Sequence, residues 1–293
     1  MDKSARLKAY AKINLSLDIT GVLENGYHSI ESVFQSISLY DTVSVSLNNT
    51  GIINVETDNS EIPSGMGNIT YKAAAAFFEY IKCSDFGADI KIIKKIPSKA
   101  GMGGGSADAA AVLKALNHLY SDSISEDELC SIGEKIGADV PFCIKGGTVF
   151  AEGTGNILTP LTLETDGYFL CVAKGNDGVS TVEAYHKSDE MQKNIIHPDT
   201  ALILEKIKNK DFKSALKYLG NVFEQTTSLD DVDFIKKIML ENNAETALMT
   251  GSGSAVFGIF DDIVNAEKCM HILENNNMFA DVCKFRNTGC EFI

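Results

Sequence analysis

The sequence predicts mixed strands and helices folded into two packed domains that share a cleft, and three observations carry that expectation. The 293 residues, 44% hydrophobic and 23% charged, suffice for two cores and are ordinary for a globular protein. Period-two stretches such as Leu7 to Ile19 alternate along the chain with helix-periodic ones such as Asn68 to Ile81. Between a strand-like run and a helix-like run lies one glycine-rich stretch, PSKAGMGGGSADAAA, from Pro97 to Ala111.

Ile90, Ile92, Ile93 and Ile96 read as a strand, and Ala109, Val112, Leu113, Leu116 and Tyr120 have the spacing of one helix face. Gly101, Gly103, Gly104 and Gly105 therefore sit where a chain turns from strand to helix. Glycines there can take positive φ and turn several N–H groups to one point, with no Cβ in a ligand's way, which makes a phosphate cradle. A helix beginning near Ser106 adds unpaired N–H groups and the positive end of its dipole, worth ~0.3–2 kcal/mol for an anion. The alternative is a flexible turn before a capped helix, since Ser106 and Asp108 both suit a first turn. Several adjacent glycines cost entropy unless something needs the bare backbone, which favours the cradle. It is not a Walker A loop, because Ser106 and Ala107 follow Gly105 where Lys-Ser/Thr is required, and the Rossmann spacing fails as well.

A net charge of −14 argues against a nucleic-acid partner and makes any attraction for a nucleotide local. Lys12, Lys94, Lys95 and Lys99 are the candidate cations; taken singly, Lys94, Lys95 and Lys99 read as a solvated face. Seven cysteines without a C-x-x-C pair and five histidines without metal-ligand spacing predict scattered reduced thiols and no zinc. The N-terminus has no apolar leader region and no run is long and apolar enough to span a bilayer, so a cytoplasmic protein without a membrane partner is expected.

From Leu7 to Ile19 the apolar residues take the odd positions, a half-buried strand whose other face carries Lys12 and Asn14. Periodicity alone makes that a solvated face. Asn25-Gly26 is a turn signal before Tyr27 and His28, and a second strand is expected over Asp41 to Leu47. Asn68 reads as the N-cap of an Ala-rich helix. Ser125 and Glu128 form a capping box for a helix that Gly137 suits as a stop. Asp139, two before Pro141, reads as a cap for a short helix. Thr148 to Thr159 is expected as a strand leading out of the first domain through a glycine-containing turn, Tyr168 to Ala173 as a strand, and Tyr185 as an aromatic on the next helix. A helical stretch lies between Pro198 and Lys217 and a helix runs over Val232 to Glu241. A strand, Gly251-Ser252-Gly253 and another strand follow, with Asp281 to Arg286 as the final strand.

The stretch from Pro97 to Ala110 resembles the P-x-x-x-G-L/M-G-G-G-S-S/A-D-A-A signature of the GHMP kinases. Four further strings resemble the branch of that family that acts on a cytidine diphosphate derivative of methylerythritol: AYAKINL at 9–15, GYH at 26–28, GADVP at 137–141 and VSTVEAY at 179–185. Gly251-Ser252-Gly253 resembles the family's third motif, with Ser254 where proline or another small residue is common. Any one string is weak, but the ordered set, running from Leu7 to Phe260, is specific.

The resemblance implies an α+β, two-domain GHMP kinase fold. Residues 1–155 form its N-terminal nucleotide-binding domain and 156–293 a ferredoxin-like C-terminal domain, with the active site between them. It implies ATP-dependent phosphorylation of the 2-hydroxyl of 4-diphosphocytidyl-2-C-methyl-D-erythritol, with Mg²⁺, in non-mevalonate isoprenoid precursor synthesis. Asp139 is then the catalytic base and Lys12 lies at the reacting hydroxyl. Asn68 lies beside the adenine. Pro97, Ser98, Lys99 and Ala100 lead into the ATP loop, which continues through Gly101, Met102, Gly103, Gly104 and Gly105 to Ser106 and Ala107, with Ser106 a candidate magnesium contact. Asn14, Tyr27, His28, Thr181 and Tyr185 contact the substrate, the two tyrosines and His28 at the cytosine. The rivals are a GHMP kinase of mevalonate or homoserine type and a catalytically silent sensor on the same fold; the first would lack AYAKINL, GYH and Tyr185, and the second is disfavoured by Lys12 with Asp139.

Overall fold

A computed structural model describes residues 3–24, 26–83, 87–176, 178–191 and 194–293. Strands β1 (Ser4–Val22) and β2 (His28–Asn48) pair antiparallel along nearly their whole lengths and form the spine of an eight-stranded sheet. The strand expected over Asp41 to Leu47 is thus the second half of a much longer one. Asn25, in the expected turn, lies outside the described residues. Strand β3 (Ile53–Thr57) is followed by helix α1 (Ile69–Tyr80), and β4 (Gly87–Ile93) returns parallel to β3 and antiparallel to β2.

Helix α2 (Gly104–Leu119) packs against β1, β2 and α1 and is buried almost all round. Ala107, Ala109, Ala110, Ala111 and Ala115 let it lie close to the sheet, while Leu113 and Leu116 fill the space between the layers. Truncating either leucine to alanine carries the ~2–5 kcal/mol cost of a core cavity. Helix α3 (Glu126–Glu134) starts at the predicted capping box: Ser125 N donates to Glu128 Oε2 at 2.9 Å and Glu128 N to Ser125 Oγ at 3.3 Å. Gly137 is not its stop, since the helix ends at Glu134 with Lys135 as C-cap. Helix α4 (Val140–Lys145) follows.

The chain does not leave the first sheet through the expected glycine-containing turn within Thr148 to Thr159, but folds back on itself there as a hairpin. Strands β5 (Thr148–Glu152) and β6 (Ile157–Leu161) pair antiparallel, and both belong to the eight-stranded sheet. The chain crosses to a second sheet at β7 (Phe169–Lys174). Helices α5 (Thr181–Met191), α6 (Thr200–Lys208), α7 (Phe212–Ala215) and α8 (Asp230–Glu241) come before β8 (Thr246–Met249) and β9 (Val256–Phe260). Helix α9 (Ile263–Asn275) and β10 (Phe279–Cys283) complete it. Its strand order, β10-β7-β9-β8 and antiparallel throughout, is the ferredoxin-like arrangement expected of the second domain.

Asp281 to Arg286 is not the final strand. It divides between β10 and β11 (Phe285–Arg286), which pairs with β2, and β12 (Cys290–Phe292) then lies antiparallel beside β1. The C-terminus therefore returns to the first sheet and ties the two together.

The solvated polar face expected on the first strand is also corrected. Lys12, Asn14, Ser16 and Asp18 are all buried. One face of β1 packs on α2; the other meets the second unit, where Leu17 N donates to Gly220 O at 2.8 Å and Asn14 N to Thr250 Oγ1 at 2.9 Å. The alternation is real, but the polar side lines a cleft rather than bulk water.

Candidate active site

The cleft lies between the glycine loop, β1, the loop before α4 and helix α5, and encloses about 1420 Å³. That exceeds the ~300–1,000 Å³ of a pocket for one small ligand, so two can be held side by side.

The glycine loop runs off β4 and ends on Gly103, the N-cap of α2, with φ of 67°. The helix thus begins two residues before Ser106, and neither Ser106 nor Asp108 caps it. Each glycine is required by a different neighbour. A Cβ on Gly101, whose φ is 72°, would stand 2.2 Å from the Thr250 carbonyl oxygen, so this glycine admits the loop between β8 and β9. One on Gly103 would stand 3.0 Å from Lys12 Cγ, and one on Gly104 3.0 Å from Ile96 Cγ2, in the core. Only on Gly105, among these four, would a Cβ meet nothing closer than 3.5 Å, and Gly105 is the exposed one. Gly104, Gly105 and Ser106 form the first turn of α2 and line the cleft, bringing N–H groups without intrahelical partners to one wall.

Lys12 crosses Gly103 to reach Asp139, with Nζ 3.4 Å from Oδ2. Its backbone N donates to Met102 O at 3.0 Å, its Nζ donates to Asn14 Oδ1 at 2.9 Å, and the ammonium sits 4.6 Å from the centre of the Phe34 ring. Asn14 is fixed in turn by donating from Nδ2 to Ser32 Oγ at 2.9 Å. Lys12 is 5% exposed, whereas the Asp139 side chain is 31% exposed and faces the cleft. Asp139 occupies the N-cap position of α4, yet its side chain makes no capping hydrogen bond. A carboxylate left out of its cap and a lysine held by three contacts can together accept a proton and steady a developing negative oxygen.

Behind the loop lies a feature the sequence did not reveal. Lys94, taken singly a solvated residue, is a buried ammonium between Asp41 and Asp108, with Nζ 2.6 Å from Asp108 Oδ2. Asp41 also accepts from the backbone N of Lys95 at 2.6 Å and of Ile96 at 2.9 Å. Burial works against the Lys94 charge, but Asp108 and Asp41 outweigh it and hold the ammonium above its ordinary pKa. The cluster joins β2, the entry of the loop and α2 beyond it. Lys95 and Lys99 are exposed, as expected, and Lys99 lines the cleft with Pro97, Ser98 and Ala100. Asn68 is buried at the cleft wall with both ends of its amide engaged: Oδ1 accepts from Thr70 N at 2.9 Å and Nδ2 donates to Pro63 O at 2.8 Å. It caps α1 as predicted.

Tyr27, His28, Thr181 and Tyr185 also line the cleft. His28 stacks on Tyr185 with ring centres 4.4 Å apart and planes 22° from parallel, and Phe223 meets Tyr185 edge-on at 5.0 Å. Burial first, and the Asp139 charge second, push the Tyr185 hydroxyl up to about 12, so this ring is a neutral surface at ordinary pH. Tyr27 is 66% exposed. Thr181 Oγ1 lies 3.1 Å from Ser252 Oγ, which links α5 to the loop between β8 and β9. Burial pushes the Cys143 thiol, close to Asp139 in sequence, well up, making it a packing group rather than a nucleophile.

Among the described residues no cluster of three histidine, cysteine or acidic side chains could hold a metal ion. Nor is any of their helices long and apolar enough to cross a membrane.

The model for the GHMP kinases N terminal domain matches residues 68–147, and that for the GHMP kinases C terminal matches 203–278. A 4-diphosphocytidyl-2-C-methyl-D-erythritol kinase of Clostridium novyi is 43% identical over 264 residues, covering 89% of this chain and 93% of its own. The chain belongs to the GHMP kinases. A second relative of this GHMP kinase, from Acetivibrio thermocellus, carries the same name at 43% identity, covering 89% of this chain and 91% of its own. The crystal structure of a 4-(cytidine 5'-diphospho)-2C-methyl-D-erythritol kinase superposes with a TM-score of 0.78 at 28% identity, over 95% of this chain and 98% of that one. A homoserine kinase from Cytophaga hutchinsonii superposes with a TM-score of 0.77 at 17% identity, over 100% of this chain and 98% of its own, and so shares the fold. GHMP kinases use ATP. The N-terminal match takes in Asn68, the glycine loop and Asp139 but stops short of Lys12, which enters the same cleft from β1.

Proposed function

We propose that this GHMP kinase transfers the γ-phosphoryl group of ATP to the 2-hydroxyl of 4-diphosphocytidyl-2-C-methyl-D-erythritol, in non-mevalonate isoprenoid precursor synthesis. The observation that carries the reading is the Lys12–Asp139 pair, 3.4 Å apart at the head of a glycine loop and open to the cleft. The names carried by relatives at 43% identity supply the acceptor.

Phosphoryl transfer needs two anionic substrates aligned, negative charge offset and the attacking hydroxyl relieved of its proton. The loop from Pro97 to Ala107 holds the triphosphate: the first N–H groups of α2 point their dipole at it, and Gly105 leaves its approach bare. Asn68 lines the adenine end. Asp139 takes the proton of the 2-hydroxyl as that oxygen bonds to the γ-phosphorus and the bond to the β-phosphate oxygen breaks, releasing ADP. A positioned base contributes ~10²–10⁴ in rate. Lys12 steadies the oxygen, and Asn14 holds Lys12 in place.

Magnesium bound to the triphosphate would offset part of its charge. Ser106 fits a contact to that ion, since it lines the cleft in the first turn of α2 and its hydroxyl has no protein partner among the described residues. The ion would then come with the nucleotide rather than from a protein cage. Tyr27, His28, Thr181 and Tyr185 receive the cytidine end. We place the division between the two domains after β6, since β5 and β6 share one sheet. The proposed setting is the cytoplasm.

The test is product identity. Purified protein incubated with ATP, magnesium and the cytidine compound should yield ADP and a 2-phosphorylated product by phosphorus NMR. No product, or phosphate on another hydroxyl, contradicts the proposal.

A further inference from the structure

Helix α5 turns three side chains to one face at intervals of four: Thr181, Tyr185 and Asp189. Thr181 meets Ser252, Tyr185 carries His28 on its ring, and the Asp189 Oδ1 lies 2.7 Å from His28 Nε2. His28, Thr181, Tyr185, Asp189 and Ser252 all line the cleft. His28 opens β2, next to an exposed turn in which Leu23 N donates to Tyr27 O at 2.7 Å. The His28 side chain is only 13% exposed although the turn before it is open, and Asp189, at 41%, closes over its outer edge. One side chain of the second unit therefore holds an aromatic ring of the first flat against another.

We propose that Asp189 is a positioning residue for the acceptor: by holding His28 against Tyr185 it sets the wall that the nucleobase meets, and with it the affinity for the cytidine end. A carboxylate oxygen accepts, so His28 meets Asp189 with an N–H on Nε2, and that bond holds the outer edge of the ring. Without Asp189 nothing in the pair constrains the ring's outer edge, and the His28–Tyr185 stack loses its orientation. Asp189 touches neither the glycine loop nor the Lys12–Asp139 pair, so its effect is confined to the acceptor side.

Because the proposal rests on the cytidine acceptor, the wild-type chain is assayed first, with that compound and with other alcohols. Asp189→Ala should raise the KM for the cytidine compound by roughly 3- to 30-fold, the range of a partly exposed hydrogen bond to a charged group, with kcat and the KM for ATP unchanged. Asp189→Asn, which keeps an acceptor oxygen, should recover most of the loss, and Glu190→Ala, the neighbouring acid on the same helix, should lose nothing. In a His28→Ala background the Asp189→Ala effect should vanish, since the carboxylate acts through the ring. An unchanged or lowered KM, a fall in kcat alone, or an undiminished effect without His28 would overturn the positioning role while leaving the acceptor assignment intact. Turnover of another alcohol and none of the cytidine compound would instead overturn both.

Discussion

Lys12, in the middle of the first strand, and Asp139, at the head of α4, meet across Gly103 with Nζ 3.4 Å from Oδ2. Capping explains neither residue. Asp139 holds the N-cap position without using its side chain there, and Lys12 is buried on the polar face of a strand that has no need of a charge. Asp139→Asn keeps size and removes the proton acceptor, and α4 loses no cap bond by it. Turnover should fall ~10²-fold or more with nucleotide affinity little changed. Near-normal kcat in a folded variant would return Asp139 to a structural role.

The loop glycines separate into testable classes. Gly104→Val drives a side chain into Ile96 and should lower the melting temperature. Gly105→Val meets only Ile69 Cγ2 at 3.5 Å, so it should fold normally and still weaken binding of a non-hydrolysable ATP analogue. Calorimetric titration decides: unchanged affinity in the Gly105 variant would mean that the phosphates lie elsewhere.

Local chemistry was readable where local chemistry decides. Asn68 and the Ser125–Glu128 box cap their helices as their spacing predicts, because a cap is made within four residues. The glycine stretch announced a strand-to-helix turn for the same reason. What escaped was set by distant chain. Asn14 read as solvated because the segment that covers it, at Thr250, comes more than two hundred positions later, and Lys12 because Met102, Gly103 and Asp139 reach it from other elements. Lys94 looked like an ordinary surface lysine because Asp41 and Asp108 converge on it from two other elements. Asp189 carried a local signal that went unused, the fourth-residue spacing from Tyr185 that puts both on one helix face. Part of the resemblance to a known family concerned these same positions, and it placed Lys12 and Asn14 in the cleft where periodicity had not.

Tyr185 is the surface on which the acceptor's base has most to gain. Stacking on an aromatic ring is worth ~1–3 kcal/mol, so Tyr185→Ala should raise the KM for the cytidine compound roughly 5- to 150-fold and leave ATP untouched. Steady-state kinetics on both substrates check this, and an equal rise in both KM values would mean that the variant has damaged the cleft as a whole.

The capping box makes α3 sensitive to acid. Hydrogen bonds from Ser125, and then from Tyr80, hold the Glu128 carboxyl down from an ordinary 4.5 to about 2. A depressed carboxylate contributes stability above its unfolded value and loses it as pH falls towards the folded one, so the contribution disappears between about 4.5 and about 2. Glu128→Ala should therefore unfold at lower denaturant than wild type at pH 7, and the gap should close through that window. A gap that stays constant from pH 7 to pH 2.5 would show that the box is not what lowers the carboxyl.

The central claim is the acceptor, and a panel of acceptors tests it most directly. Purified protein with ATP and magnesium is offered 4-diphosphocytidyl-2-C-methyl-D-erythritol, its uridine counterpart, mevalonate and homoserine, and kcat/KM is measured for each. The account predicts efficient turnover of the cytidine compound, a clear loss on changing cytosine to uracil, and little or none with the other two. Preference for mevalonate or homoserine, or indifference to the base, would contradict it and leave only the kinase fold standing.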